Sequence, residues 1–555
     1  MKKNTLIFDS FWLILGLGFL FLFFGSDHTL LNPDESRYSE IAREMLVTED
    51  FITPRLNGLI FFDKPILYYW LQALSIHWFG LNEWALRFFP AVYGVFGCFC
   101  VYLLGRCIGN RQAGIYSALL LASSPLYFLA AHYANMDLEV AVLITASLTH
   151  FLLAINTKNV KHQSQLFYLA YVFSGLAILT KGLIGIVFPT IIIGTWIVFT
   201  RRWHVIKQMR LCTGLLLVIA INLPWFYAVQ RANPDFFHYF FVVQHFERFL
   251  TANFNSQSPV WFYLPVILLG VFPWTFLVIT SSISAIKSTK CNANILFLLL
   301  WIGWVFIFFS IPKSKLIGYI LPIFPALIVL AGNYLANNKM QASRWLLRLS
   351  LVSYLGVMIA LFYLPQLAAL WGTSLILTKP IILLLITLGI VVIIVAYCDW
   401  RASLHTTWHF MIAGAFASLL VMSLVLPVLP LSSTKPLIQR VQAIKKPNDK
   451  LVSYFHYFYD LPLYAEQIAT IVANWDDPAM RVKDNWRRIF LYGLEYATDA
   501  KQYYIKPEML WNDWHDPARL FVFMRKIHLD FFKAHVNPVV IIAENDTYMV
   551  ISNQK

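Results

Sequence analysis

Two adjacent carboxylates and a guanidinium stand just after the first apolar run, where Asn32-Pro33-Asp34-Glu35-Ser36-Arg37-Tyr38 follows residues 11–24. Acids beside a bilayer are costly to place, and their usual use is chemistry or ion handling. Asp34 also suits a helix N-cap, a structural task that does not compete with a chemical one. Further along the same polar segment, Phe61-Phe62-Asp63-Lys64-Pro65 sets a lysine before a proline suited to open a helix. The helix dipole disfavours a cation there unless an anion sits with it. Lys64 therefore reads as an anion-binding residue, with a lysine snorkelling at the interface as the plain alternative.

Four more groups have the same character. Asn135-Met136-Asp137-Leu138-Glu139 opens an apolar run; Asp137 fits the first turn of a helix, and Glu139 lies deeper, toward hydrocarbon. Thr180-Lys181-Gly182 breaks a hairpin otherwise free of charge, so Lys181 calls for a carboxylate from elsewhere or a phosphate. In His245-Phe246-Glu247-Arg248 the arginine either pairs with its neighbour or grips a phosphate through two N–H donors. Lys313 and Lys315, with Gly318 and Tyr319, lie on an expected outer hairpin, against the positive-inside tendency, which favours an anionic partner. Gathered on one leaflet face, such residues suit transfer from a lipid-linked phosphate donor. Lysine and arginine stabilise the leaving phosphate, while a carboxylate orients the acceptor, takes its proton or supports a cationic sugar.

The elements that must hold these residues are membrane spans. Of the 555 residues, 59% are hydrophobic and 13% charged, against about 45–50% and about 25% in soluble chains. Run lengths predict a polytopic α-helical membrane protein with about 13 transmembrane helices. The net charge of +14 reflects basic loops rather than nucleic-acid binding. Arg106 and Arg111, Arg201 to Arg210, and Arg344 and Arg348 mark one side, so the N-terminus is expected in the cytoplasm and the C-terminus outside. The six cysteines lie in or beside apolar runs with no CxxC, which predicts neither a disulfide framework nor a thiolate metal site. Met1-Lys2-Lys3 and the first run resemble a signal peptide, but no small-x-small site follows, so an uncleaved span is expected.

The expected organisation is a transmembrane domain over 1–430, with outer segments 26–85 and 229–258, and a soluble α/β domain over 431–555. Within the first outer segment, Ser39 to Leu46 and Tyr68 to Phe79 read as helices lying along the interface. Strand-like runs in the last domain are Lys450–Phe455, Arg488–Tyr492, Leu520–Met524 and Val539–Ala543.

The motifs from Asn32 to Met45, Thr53-Pro54-Arg55-Leu56-Asn57-Gly58, Asp63-Lys64-Pro65 and Tyr68-Tyr69-Trp70 resemble those of the bacterial lipid A aminoarabinose transferases. These are C-type integral-membrane glycosyltransferases related to protein O-mannosyltransferases. The likeness extends through Lys181-Gly182, Glu247-Arg248, Lys313 to Tyr319 and Tyr454 to Tyr464 with Asp460-Leu461-Pro462. It implies a C-type glycosyltransferase fold and an undecaprenyl-phosphate-linked donor of 4-amino-4-deoxy-L-arabinose. The implied acceptor is a lipid A phosphate at the periplasmic face of the inner membrane, and the implied outcome is resistance to polymyxin and other cationic peptides. Carried over residue by residue, it implies Asp34 as the principal catalytic carboxylate, Lys64 and Arg248 on the donor phosphate, and Lys181 in a cavity lined by Arg37, Tyr38 and Tyr319; the residues read by themselves add Glu35 and Asp137 to the catalytic candidates and Lys181 to those for the donor phosphate. Arg37, Tyr38, Asp63, Glu139, His245, Lys313, Lys315 and Tyr319 would line the cavity. The family more often has Glu where this chain has the shorter Asp63; a divalent ion on Asp63 and His245 is admitted but not required, and no other cofactor is expected. The alternatives are a relative moving another polyprenyl-phosphate sugar to lipid A or to protein hydroxyls, and a transporter of lipid-linked sugars. A transporter would place its ionisable residues at mid-membrane between inverted repeats.

Overall fold

The computed structural model describes residues 3–241, 258–287, 292–337, 340–363, 365–366, 378–428, 433–477, 486–496 and 500–554. The chain forms two compact units, one of 1–28, 87–224 and 257–429, the other of 29–86, 225–256 and 430–555.

The first unit is built of apolar helices. Among the described residues, eight are long and apolar enough to cross a bilayer, or ten if each of two bent pairs is one span. Two shorter apolar helices, Trp12–Phe23 and Ile184–Thr200, accompany them. The chain is a multi-pass membrane protein; the expected count of about 13 is not reached by the full-length helices alone. The bent pairs, of 68° and 116°, break just before Pro125 and near Pro273, where the ring removes a helical N–H and clashes with the preceding turn. Met136–Ile155 is buried along nearly its whole length. Phe151 on it meets Phe167, Trp196 and Phe297, so aromatic rings tie four helices together. Charge is neutralised locally: Asp9 accepts from Arg111 at 2.7 and 2.8 Å, and Asp399 pairs with Arg348 at 2.9 Å.

The second unit joins the first outer segment to the C-terminal residues. Helix Asp34–Thr48 leads to a two-residue hairpin, β1 (Arg55–Leu56) and β2 (Leu59–Ile60), and then to helix Leu67–Phe79. Asn57 and Gly58 turn the hairpin with φ of 51° and 81°, the left-handed pair that a tight hairpin requires. The C-terminal residues form a six-stranded sheet of β3 (Lys450–Tyr454), β4 (Thr470–Val472), β5 (Tyr504–Ile505), β6 (Leu520–Arg525), β7 (Val540–Glu544) and β8 (Tyr548–Ser552). The order is β5-β4-β3-β6-β8-β7, parallel from β5 to β6 and antiparallel beyond. Alternation along the strands fills both faces: Val452, Tyr454, Val522 and Met524 pack on one, Leu451, Phe521 and Phe523 on the other.

Three expectations are corrected here. Residues Arg488–Tyr492 begin a helix, Arg488–Tyr496, rather than a strand. Phe490 turns inward onto Tyr457 and Tyr504, and Gly493, one helical turn later, lies close to Leu59. Helix Asp34–Thr48 is not a simple amphipathic surface helix, because Glu35, Glu40, Arg43 and Glu44 are buried within the protein. Pro65 is not the first helical residue; Ile66 is the N-cap of Leu67–Phe79, so Lys64 precedes the cap by two positions.

Candidate functional site

In the second unit the site is organised around Arg37. Asp34 is the first residue of its helix, with Pro33 as the N-cap, which corrects the expectation that Asp34 caps it. Its side chain accepts from the Arg37 guanidinium one turn along. That guanidinium lies 4.9 Å from the Tyr38 ring centroid and 6.0 Å from that of Phe61. Burial opposes its charge, but Tyr38, Asp34, Tyr459 and Asp63 more than offset this and hold its pKa above the ordinary arginine value. Asp63 in turn accepts from the Tyr239 hydroxyl at 3.1 Å. Lys64, beside it in sequence, is half-buried. Glu35 is fully buried and accepts the Leu31 N–H at 2.7 Å, a brace on the turn before the helix.

Deeper on the same helix, Glu40 takes both arms of Arg43 at 2.6 and 2.7 Å. Glu44 accepts the Gly58 N–H at 2.9 Å, which ties the helix to the hairpin turn. Burial, reinforced by Glu40, pushes the Glu44 carboxyl up to about 8. Asn57 binds both the N–H and the C=O of Ala469, at 3.0 and 2.9 Å, and its carbonyl accepts from Tyr504. The hairpin is thereby fixed to the C-terminal residues of the same unit.

In the first unit a second group forms. Asn135 caps helix Met136–Ile155 by accepting from the Asp137 N–H at 3.0 Å, as the sequence leads one to expect of a first-turn acid. Asp137 forms an ion pair with Lys181, whose helix ends at Gly182 with φ of 87°. The lysine that lacked a sequence neighbour has found its carboxylate 44 residues away. Its ammonium sits 4.4 Å from the Tyr319 ring centroid. Gly318 makes the close approach feasible, since a Cβ there would lie 2.3 Å from the Asp137 Oδ2. Glu139 is buried and accepts from the Thr180 hydroxyl at 3.2 Å, one residue before Lys181.

The remaining expected residues divide further. Lys315 is buried and donates to the carbonyls of Ser258, at 3.0 Å, and of Pro312, so it braces its own loop; Lys313 is exposed. Arg248 and His245 lie outside the described residues. Among the described residues no three His, Cys, Asp or Glu side chains are grouped to hold a metal ion. Asp63 is engaged by Tyr239 and by the charge of Arg37, a setting that does not by itself suit a cation. Reading the sequence missed Asn57 as a domain tie, although the Asn-Gly pair between apolar residues carried the signal.

Residues 63–227 match the family model described as dolichyl-phosphate-mannose-protein mannosyltransferase. A Proteus mirabilis protein named undecaprenyl phosphate-alpha-4-amino-4-deoxy-L-arabinose arabinosyl transferase 2 is 34% identical over 328 residues, 58% of this chain and 59% of its own length. A Shewanella sediminis protein named as an arabinosyl transferase of the same donor is 34% identical over 319 residues, 56% of this chain and 57% of its own. The chain thus spans less than two thirds of the length of these curated relatives in each match. In structure it is similar end to end to ArnT from Cupriavidus metallidurans bound to undecaprenyl phosphate. The TM-score is 0.85 and the identity 23%, covering 100% of this chain and 99% of the other. The apo state of that protein gives a TM-score of 0.83 with the same coverage. The chain has the C-type glycosyltransferase fold, and over the matched stretch it is a homologue of the aminoarabinose transferases.

Proposed function

We propose that this chain is a membrane pentosyltransferase. In this reading it moves 4-amino-4-deoxy-L-arabinose from undecaprenyl phosphate to a lipid A phosphate at the periplasmic face of the bacterial inner membrane. The observation that carries the reading is the stretch of 34% identity to named aminoarabinose transferases, lying in a chain whose whole length follows the ArnT fold. The N-terminus is then cytoplasmic and the C-terminal domain periplasmic, in keeping with the basic loops. The product carries less negative charge, which weakens attraction for cationic peptides such as polymyxin.

The transfer breaks the bond between the sugar's anomeric carbon and the donor phosphate oxygen. The bonding pair leaves with undecaprenyl phosphate, and a lipid A phosphate oxygen closes on the same carbon. An acceptor phosphate is already anionic near neutral pH and needs no strong base. Asp34, held at a helix start by Arg37, accordingly orients the acceptor or balances the donor's amine rather than removing a proton. Lys64 and Arg248 receive the charge that develops on the leaving phosphate. Lys181 is already paired with Asp137, so in this reading it holds that carboxylate in place.

The matched mannosyltransferase model over 63–227 favours one second reading, transfer of another polyprenyl-linked sugar to protein hydroxyls. Mass spectrometry of lipid A from cells with and without this chain separates the two. A pentosamine-sized increment present only with the chain supports the first. Unchanged lipid A alongside newly glycosylated protein replaces it with the second.

A further inference from the structure

The C-terminal domain touches the catalytic loop through one carboxylate that the transferase reading does not use. Asp460 is completely buried and precedes the short helix Leu461–Ala465. It accepts from the Ser433 hydroxyl at 2.9 Å, the Thr434 N–H at 2.7 Å, the Thr434 hydroxyl at 2.8 Å and the side-chain amide of Asn32. A carboxylate has about four lone-pair sites, so this set of donors fills it. The donors come from separate parts of the chain. Ser433 and Thr434 open the C-terminal domain, while Asn32 lies two residues before Asp34. The neighbouring Tyr459 is half-buried, its ring 4.7 Å from that of Tyr457, and its phenol is close enough to act on the charge of Arg37. A parallel set of bonds runs alongside: the Tyr464 hydroxyl accepts the Leu30 N–H at 3.2 Å and donates to Glu83 at 3.0 Å, and Glu83 also pairs with Lys435.

We propose that Asp460 is a positioning residue for the Asp34–Arg37 pair, fixing Asn32 from one side and Tyr459 from the other, so that the C-terminal domain is a working part of the catalytic loop. The inference rests on the transferase reading above. Asp34 begins a helix, and the direction of a first-turn side chain is set by the chain entering that helix. Asp460 holds that entry at Asn32. Tyr459, next to Asp460 in sequence, adds to the electrostatic setting of the guanidinium that Asp34 accepts from.

The test uses the full-length purified protein with undecaprenyl phosphate-linked aminoarabinose and lipid A. Asp460→Asn keeps the shape but offers lone pairs at one atom where the carboxylate offered two. It should lower kcat on the order of 10²-fold with KM for the donor little changed, because the phosphate-binding lysine is untouched. Tyr459→Phe keeps the ring on Tyr457 and should lower kcat by a smaller factor. The double variant should be no slower than Asp460→Asn alone, since one residue acts through the other. Independent additive losses would mark Asp460 as a merely structural residue and overturn the proposal. A readout without turnover runs in parallel: Asp460→Asn should speed amide hydrogen exchange at residues 34–38 and leave residues 136–140 as they were. Unchanged exchange at 34–38, or Tyr459→Phe at wild-type rate, also overturns it. Wild-type protein without turnover sinks the transferase reading instead, and the exchange measurement still decides whether Asp460 positions the loop.

Discussion

Two acids begin two helices in this protein, and their surroundings differ in kind. Asp137, in the membrane unit, is matched to a single lysine drawn from the end of another helix, pressed by Gly318 and roofed by Tyr319. Asp34, in the other unit, shares a local arginine that also answers to Asp63, Tyr38 and Tyr459. The first pair is closed: side chains at 10% and 11% exposure leave little room for water. The second is more open, at 15% and 21%, and its arginine is spread over several partners. A closed pair suits holding structure against the cost of burying charge. An open, shared one suits a carboxylate that must exchange its partner for a substrate.

The sharpest way to break this contrast is at Asp34. Asp34→Asn should cost on the order of 10²–10³-fold in transfer while leaving the protein folded, because the amide oxygen can still accept from Arg37 and Asp63 still bears on that guanidinium. Thermal unfolding measured beside turnover separates the two effects. Lys181→Ala should do the opposite in kind. It strands a buried carboxylate and should cost about 3–5 kcal/mol of stability, read as a lower melting temperature. Replacing both members by apolar residues of similar volume, Asp137→Leu with Lys181→Met, should regain most of that loss. Failure to regain it would mean the pair does more than neutralise itself.

Gly318→Ala probes the same closed pair with a smaller push. Its new methyl must displace the Asp137 carboxylate, and overpacking of this sort costs about 1–3 kcal/mol. A melting temperature equal to wild type would show that the pair has slack. The next comparison concerns pH. Glu44 is raised to about 8 in the folded protein from an unfolded value near 4.5, so the folded state binds the proton more tightly. Its contribution to stability is full below about pH 4.5 and is lost as pH rises through about 8, with a slope of no more than about 1.4 kcal/mol per pH unit. Glu44→Gln keeps an acceptor for the Gly58 N–H and should flatten that slope. A slope unaltered by the substitution would assign it to other groups.

What was legible in the sequence follows from the range of the forces involved. The helix start at Asn135-Met136-Asp137 is local chemistry, and the structure has it with the cap in place. Lys181 needed a carboxylate because nothing nearby could neutralise it, so the need was visible although the partner was not. The sheet was legible where strands are long and apolar, as at Lys450–Tyr454 and Leu520–Arg525. It was not legible at Thr470–Val472 and Tyr504–Ile505, which are too short to show a period; the first exists because β3 offers it an edge, and the second because the first does. Tyr548–Ser552 was missed for another reason: it is buried throughout, so it shows no alternation. Asp460 stood in the sequence only as part of the Asp460-Leu461-Pro462 likeness, with no role of its own. Its four donors come from residues up to 428 positions away, and no window along the chain contains them.

In the proposed function, the Asp34 carboxylate serves sugar transfer from a polyprenyl phosphate. The most direct measurement is transfer of labelled 4-amino-4-deoxy-L-arabinose by the purified protein in lipid vesicles, from synthetic undecaprenyl phosphate donor to lipid A. The account predicts labelled lipid A with wild-type protein and none above background with Asp34→Asn of equal melting temperature. Labelled lipid A at the same rate from both proteins would contradict it.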